Sequence, residues 1–256
     1  MIIASWNVNS ITVRIPHLKD FLSRYEPDVL CMQETKVVDE KFPRDVFEEY
    51  GYEVEVYGEK TYNGVAIASK TSMESITKGF KVEIAAGSKR LIAATVGEVK
   101  VLNVYIPNGS SVGSDKFFYK MEWLAALKKH IEDNYSPSDR LVIVGDFNIA
   151  PDDRDVFNPQ AVQGTIMCSD EERNSLQSIK DWGFVDVLRE HHEEGGLFSW
   201  WDYRMGAFRR NMGFRIDHIW ATKPIAANCK AILIDRELRK LERPSDHAPV
   251  VAEFEF

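Results

Sequence analysis

Leu91-Ile92-Ala93-Ala94-Thr95-Val96-Gly97-Glu98-Val99-Lys100-Val101-Leu102-Asn103-Val104-Tyr105 reads as two β-strands joined by a two-residue turn. Only Gly97 and Glu98 separate Val96 from Val99, and a glycine at the first central position supplies the positive φ that a tight hairpin needs. Part of the sheet is therefore antiparallel. Similar short β-branched or apolar runs at 2–6, 29–33, 65–69, 141–144, 216–221 and 250–254 also read as strands. Helical spacing appears in fewer places. Ser114 can cap a helix in which Phe117, Phe118, Met121, Leu124, Leu127 and Ile131 recur at three and four residues, and Ser169 with Glu172 forms a capping box ahead of Leu176 and Ile179. A third helix is predicted over 15–25, beginning after Arg14 with Pro16 in its first turn. This mixture of hairpins and crossovers predicts an α/β chain in which two mixed sheets pack together with helices outside.

The 256 residues contain no polar or proline-rich linker at which to divide them, so one domain, 1–256, is expected. With 44% apolar residues and six tryptophans the chain can bury a large core unaided. Its three cysteines, Cys31, Cys168 and Cys229, are widely spaced and match neither a disulfide framework nor a zinc pattern, which suits a reducing compartment. No signal peptide follows Met1, and no apolar run approaches the roughly 20 residues of a membrane span. A soluble, cytoplasmic protein is expected, as is a monomer. The formal charge of -8 argues against binding nucleic acid by overall attraction, so any DNA contact must use local basic groups. Lys89, Arg90, Lys116 and Lys120 are candidates for them.

Polar residues at the ends of apolar strands carry the chemistry, because a strand delivers side chains rigidly to one sheet edge. Such ends are Asn7 and Asn9, Gln33-Glu34-Thr35-Lys36, Tyr105 to Asn108, Asp146-Phe147-Asn148, Asp217-His218 and Ser245-Asp246-His247. Any one of them is more often a turn former bonded to its own backbone; together they outweigh that reading. Carboxylates and carboxamides predominate, so a metal held here is a hard cation, Mg²⁺ or Mn²⁺. Asp146 and Asn148 lie two apart, on one side of an extended chain, an arrangement suited to a water nucleophile. His247 needs a carboxylate on its second nitrogen to stay oriented, and Asp217 is available. His218 should face the other way and be structural, while His191 and His192, among glutamates, read as a solvated loop.

These blocks, from Ser5-Trp6-Asn7-Val8-Asn9-Ser10 through Pro27 to Lys36, Tyr62-Asn63-Gly64-Val65-Ala66, Tyr105-Ile106-Pro107-Asn108-Gly109, Val144 to Asn148, Trp200 to Arg204, Arg215-Ile216-Asp217 and Ser245 to Pro249, span the chain. In this order they resemble the exonuclease III and abasic-endonuclease family, within the deoxyribonuclease-I-like phosphoesterase superfamily. The resemblance implies a four-layer α/β sandwich, two mixed β-sheets face to face with helices on both outer faces. It implies Glu34 as main metal ligand with Asn9 and Asp246 nearby, and Asn7, Tyr105 and His247 on the scissile phosphate. Asp146, supported by Asn148, would orient or deprotonate water, and Asp217 would hold His247. Trp200, Phe214 and Ile216 match the family's pocket for an abasic sugar, in an aromatic and basic segment that includes Arg204 and Arg215, and Asn108 falls on the DNA side. The expected substrate is double-stranded DNA with abasic sites or damaged, 3′-blocked ends.

Met167 lies where family members approach the damaged strand, and a bulky side chain there is expected to favour 3′-end processing over internal abasic cleavage, unless it merely packs the loop. Two rival readings are weighed on the same scaffold. A lipid or inositol phosphatase needs an apolar membrane-facing loop that the sequence lacks. A non-catalytic DNA-binding module would have lost one of the strand-end residues, and all are present.

Overall fold

In the strands at the centre of the protein, one parity of side chains faces inward and the other outward. The computed structural model describes residues 1–80 and 89–256. In β1 (Ile2–Asn7) Ile3 enters the central core while Ala4 and Trp6 face out; in β2 (Val29–Gln33) Val29 and Cys31 enter and Leu30 and Met32 face out. These strands join β3 (Glu53–Tyr57), β4 (Val65–Ser69), β11 (Cys229–Ile234) and β12 (Val250–Phe254) in a sheet of order β11-β12-β1-β2-β4-β3. The second sheet has the order β5-β6-β7-β8-β10-β9, from β5 (Met73–Lys78), β6 (Leu91–Val96), β7 (Val99–Tyr105), β8 (Leu141–Asp146), β9 (Phe184–Asp186) and β10 (Asp217–Thr222). The pairs β1–β2 and β7–β8 are parallel and the other pairs antiparallel, so both sheets are mixed.

Ile3, Cys31 and Ile67 of the first sheet meet Val101, Val142, Val144 and Ile219 of the second in one core. Each large side chain so buried contributes about 1.5–3 kcal/mol, which holds the sheets face to face. The outer face of the first sheet packs under the helix Ile11–Tyr25 through Leu18, Phe21 and Leu22. That of the second packs under the helices Asp115–Asn134 and Asp170–Lys180 through Trp123, Leu127, Leu176 and Ile179. The result is the four-layer sandwich. Among the described residues no helix is long and apolar enough to cross a membrane.

The hairpin closes as read, with Val96 opposite Val99 and Gly97 at φ 57°. The first helix differs: it starts at Ile11, leaving Pro16 inside rather than in the first turn. The reason is that Ser10 N and Ile11 N donate to the backbone carbonyls of Glu34 and Thr35, at 2.8 and 3.1 Å, so the end needs no side-chain cap. Both capping expectations hold, with Ser114 accepting from Phe117 N and Ser169 forming the box with Glu172.

Candidate active site

The inward parity that packs the core continues to one end of the sandwich, where it becomes polar. Asn7, Gln33, Tyr105, Asp146 and Asp217 share the inward phase of Ile3, Cys31, Val101, Val144 and Ile219, and the register aligns Asn7 with Gln33, Tyr105 with Asp146 and Asp146 with Asp217. Gly145, just before Asp146, has φ 141°, and a Cβ there would lie 1.9 Å from Val104 O, so only glycine lets β8 approach β7 at this point. Beneath the pocket lies a buried polar floor. Gln33 Nε2 donates to Ser5 Oγ at 3.1 Å and to Asn103 Oδ1 at 2.8 Å, and Asn103 Nδ2 reaches Met32 O and Ala66 O on the opposing sheet.

Asn7 Nδ2 donates to Glu34 Oε1 at 3.0 Å and to Asp146 Oδ2 at 2.9 Å, joining the two sheets' carboxylates. Tyr105 donates its hydroxyl to Glu34 Oε1 at 2.8 Å; burial, reinforced by Glu34, pushes the phenol well above its ordinary range and keeps it protonated. Arg90 lies 4.4 Å from the centre of that ring. Asp146 accepts from Asn148 twice, from its backbone N–H at 2.9 Å and its carboxamide at 3.2 Å, and Asn108 donates to Asn148 Oδ1 at 3.1 Å. Asn148 is not extended but left-handed, at φ 50°, and its return onto Asp146 is a turn.

His247 Nδ1 lies 2.8 Å from Asp217 Oδ2, which also accepts from Ser199 Oγ at 2.7 Å. Its Nε2 is 3.7 Å from Asp146 Oδ2. Burial works against charge on the imidazole, but the carboxylates of Asp217, Asp146 and Asp246 prevail and push it up to about 10. Burial raises Asp146 to about 7 despite His247.

On the other flank Asn9 Nδ2 donates to Asp246 Oδ1 at 2.8 Å, and Trp200 Nε1 donates to Asp246 Oδ2 at 2.9 Å. Lys36 Nζ meets Asn9 Oδ1 at 2.5 Å and Glu34 Oε2 at 2.8 Å. Although burial works the other way, Lys36 keeps the Glu34 carboxyl below its usual range. Glu34, Asp146 and His247 bring ligand atoms within 4.8 Å of one another. The carboxylates of Glu34 and Asp146, with the flanking Asn9 and Asp246, offer oxygen donors that fit an oxygen-seeking cation.

Next to this pocket stands an apolar wall of Trp200, Phe214, Ile216 and Met167, packed with Ala150 and Cys168. Trp200 and Phe214 exchange backbone hydrogen bonds of 2.9 Å, and Trp200 also bridges to His247, so the wall is tied to the site. A cavity of about 380 Å³ opens beside it, lined by Phe157, Trp200, Arg204, Met205, Met212 and Phe214. Arg204 is exposed, its guanidinium resting on Asp202.

Arg215 and Lys120 depart from expectation. Arg215 is no DNA contact: it is buried, with Nε and Nη2 on Asp155 and Nη1 and Nη2 on Asp186, at 2.6–3.1 Å. Lys120 adds no surface charge either, being fully buried against Glu172. Lys116 is exposed, as expected of it. His218 is buried in the Arg215 cluster and donates from Nε2 to Ile149 O. His192 is less solvated than read, its Nε2 lying 3.2 Å from Ile232 O. Sequence reasoning missed Ser199, Tyr203 and Lys36 as supports of the pocket. Tyr203 Oη donates to Pro244 O and lies 3.4 Å from Asn9 Nδ2, a link between distant loops that no local motif announces. Lys36 was in view, two residues after Glu34 in a polar run.

The endonuclease/exonuclease/phosphatase family model matches residues 4–247. The chain is 37% identical to exodeoxyribonuclease III of Haemophilus influenzae, with 98% of each covered. It superposes with a TM-score of 0.96 on the 3′ phosphatase NExo from Neisseria bound to product DNA hairpin, at 43% identity, and equally well on an AP endonuclease from Archaeoglobus fulgidus, at 39%, both over 100% of each chain. With the site's residues drawn from the same blocks that carried the resemblance, the chain belongs to the endonuclease/exonuclease/phosphatase family, on its exonuclease III and AP endonuclease side.

Proposed function

We propose that this chain is a Mg²⁺-dependent DNA repair phosphodiesterase that attacks a phosphate ester with water, acting on abasic sites or blocked 3′ ends of double-stranded DNA. It is an enzyme, a hydrolase of the nuclease class, as its relatives named exodeoxyribonuclease III and DNA repair nuclease indicate. The observation that carries the reading is the meeting of Asn7, Glu34, Asp146 and the His247–Asp217 pair in one pocket beside an apolar wall. The DNA hairpin in the Neisseria structure supports DNA as the substrate.

Each residue has a chemical task. The Asp146 carboxylate, steadied by Asn148 and Asn7, orients water and receives its proton. His247, kept charged by Asp217, and the Tyr105 hydroxyl offer protons or hydrogen bonds to phosphate oxygens, where charge accumulates in the transition state. Glu34, with Asn9 and Asp246, would hold Mg²⁺, with Mn²⁺ a substitute. The ion supplies charge stabilisation at the phosphoryl and leaving oxygens. Trp200, Phe214 and Ile216 receive a sugar without its base, and Asn108, Arg204 and Met167 line the approach of the strand. The chain acts as one domain and as a monomer, both sheets contributing to the one pocket.

The test is a side-by-side assay on a duplex with one internal abasic analogue and on a nicked duplex ending in 3′-phosphate, with Mg²⁺ and then with chelator. Wild type should cleave at least one, chelator should abolish cleavage, and Asp146→Asn should lose turnover while folded. Hydrolysis of an inositol phosphate with both DNAs left intact would refute the reading.

A further inference from the structure

Lys120 sits wholly inside the protein, where no DNA can reach it. Its ammonium has three donors, and they meet three partners: Glu172 Oε1 at 2.5 Å, Asn148 O at 2.8 Å and Asn108 O at 3.2 Å. Glu172 passes the link on. Its Oε1 accepts from Met167 N at 3.0 Å, and its Oε2 from Ser169 N and Ser169 Oγ at 3.1 and 2.7 Å. One ion pair thus ties the helices Asp115–Asn134 and Asp170–Lys180 to the backbone of Asn108, Asn148 and Met167.

Stability alone does not account for the pair. Enclosing two charges is costly, and apolar side chains of similar size often do as well; burial draws the lysine below its ordinary range even with Glu172 opposing. What apolar groups lack is direction. Asn148 and Met167 are left-handed, at φ 50° and 69°; asparagine tolerates that conformation in a turn, whereas Met167 keeps it only because its surroundings hold it. Both are held by their own backbone atoms, one on each partner of the pair. Gly109 leaves room for it, since a Cβ there would lie 3.0 Å from Lys120 Cδ.

We propose that Lys120 and Glu172 are positioning residues, which together fix the Asn148 carboxamide against Asp146 and set the spacing of the Met167 wall from it. The proposal rests on the nuclease reading of the site. Lys120→Met alone strands a buried carboxylate and can fail to fold. Lys120→Met/Glu172→Gln leaves no buried charge and retains a carbonyl oxygen for the Met167 amide, so it is the variant to assay once its thermal unfolding shows a folded protein.

On the better DNA substrate with Mg²⁺, kcat should fall about tenfold or more, while KM stays within about threefold of wild type. If the pair acts through Asn148, the same double change made in Asn148→Ala should cost less than about twofold, a non-additivity that general loosening does not give. Equal losses in both backgrounds, or full kcat in the folded double variant, overturn the positioning role and leave the nuclease reading standing. Wild-type chain inactive on both DNAs overturns that reading, and the proposal with it.

Discussion

Asp217 holds His247 through a single oxygen: its Oδ2 lies 2.8 Å from His247 Nδ1 and also takes the Ser199 hydroxyl. The two residues sit on separate segments, Asp217 opening β10 and His247 preceding β12. Replacing Asp217 by Asn keeps the shape and removes the charge that keeps the imidazole protonated. Turnover should drop by about two to four orders of magnitude, and the melting temperature should fall as the buried imidazole loses its counter-charge, measured by steady-state cleavage and thermal unfolding. Wild-type turnover in Asp217→Asn would show that this charge is idle.

Met167 offers a second measurement, for its side chain is buried in the wall beside Ile216 while its backbone is left-handed. Glycine there relieves about 1–2 kcal/mol of backbone strain and loses about 2–5 kcal/mol of packing, so Met167→Gly should be modestly less stable. Its ratio of internal abasic cleavage to 3′-phosphate removal should rise. An unchanged ratio would make Met167 loop packing and nothing more.

The Arg215 cluster predicts a pH-dependent stability. Burial and the neighbouring Arg215 lower His218 from 6.5 to about 4, so between those values the unfolded chain binds a proton that the folded chain refuses. The stability contributed by His218 therefore falls as pH drops from about 6.5 to 4, by about 3 kcal/mol at most, while Asp146, raised to about 7, shifts stability the opposite way over the same interval. Although burial opposes it, Arg215 holds Asp155 and Asp186 below their usual range, and their contribution, present above that range, is lost as pH falls further. His218→Gln should remove this acid-side loss, so the difference between its melting temperature and that of wild type should change across pH 4 to 6.5; a constant difference would place the titration elsewhere.

Affinity for duplex DNA should decrease steeply with added salt even though the chain carries -8 overall. Lys116→Ala, at an exposed position on the helix Asp115–Asn134, should reduce the slope by about one in a binding titration at several salt concentrations. Salt-independent binding would rule out phosphate contacts as its source.

The interior strands were legible because their burial makes them apolar on both faces. The four that escaped notice, β3, β5, β9 and β11, are the outermost strands of the two sheets: β3, β5 and β11 carry exposed residues along their length, and β9 has only three residues. The polar residues of the pocket were legible for a related reason: Asn7 or Asp146 at the end of a buried run is conspicuous. Arg215 misled because the carboxylates that enclose it, Asp155 and Asp186, lie 60 and 29 residues away. Lys120 misled similarly, its partner Glu172 being 52 residues off and in another helix. Ionic contacts between distant segments leave no local pattern to read.

β1, which carries Asn7, lies between β2 and β12, and the amino group of Met1 donates to Phe254 O at 2.6 Å. The strand that opens the chain is thus completed by the strand near its other end, and a nascent polypeptide has no finished catalytic pocket until residues 250–254 have left the ribosome. The same clasp holds the start of β1 beside the end of β12, so loosening either strand opens the sheet that carries Asn7.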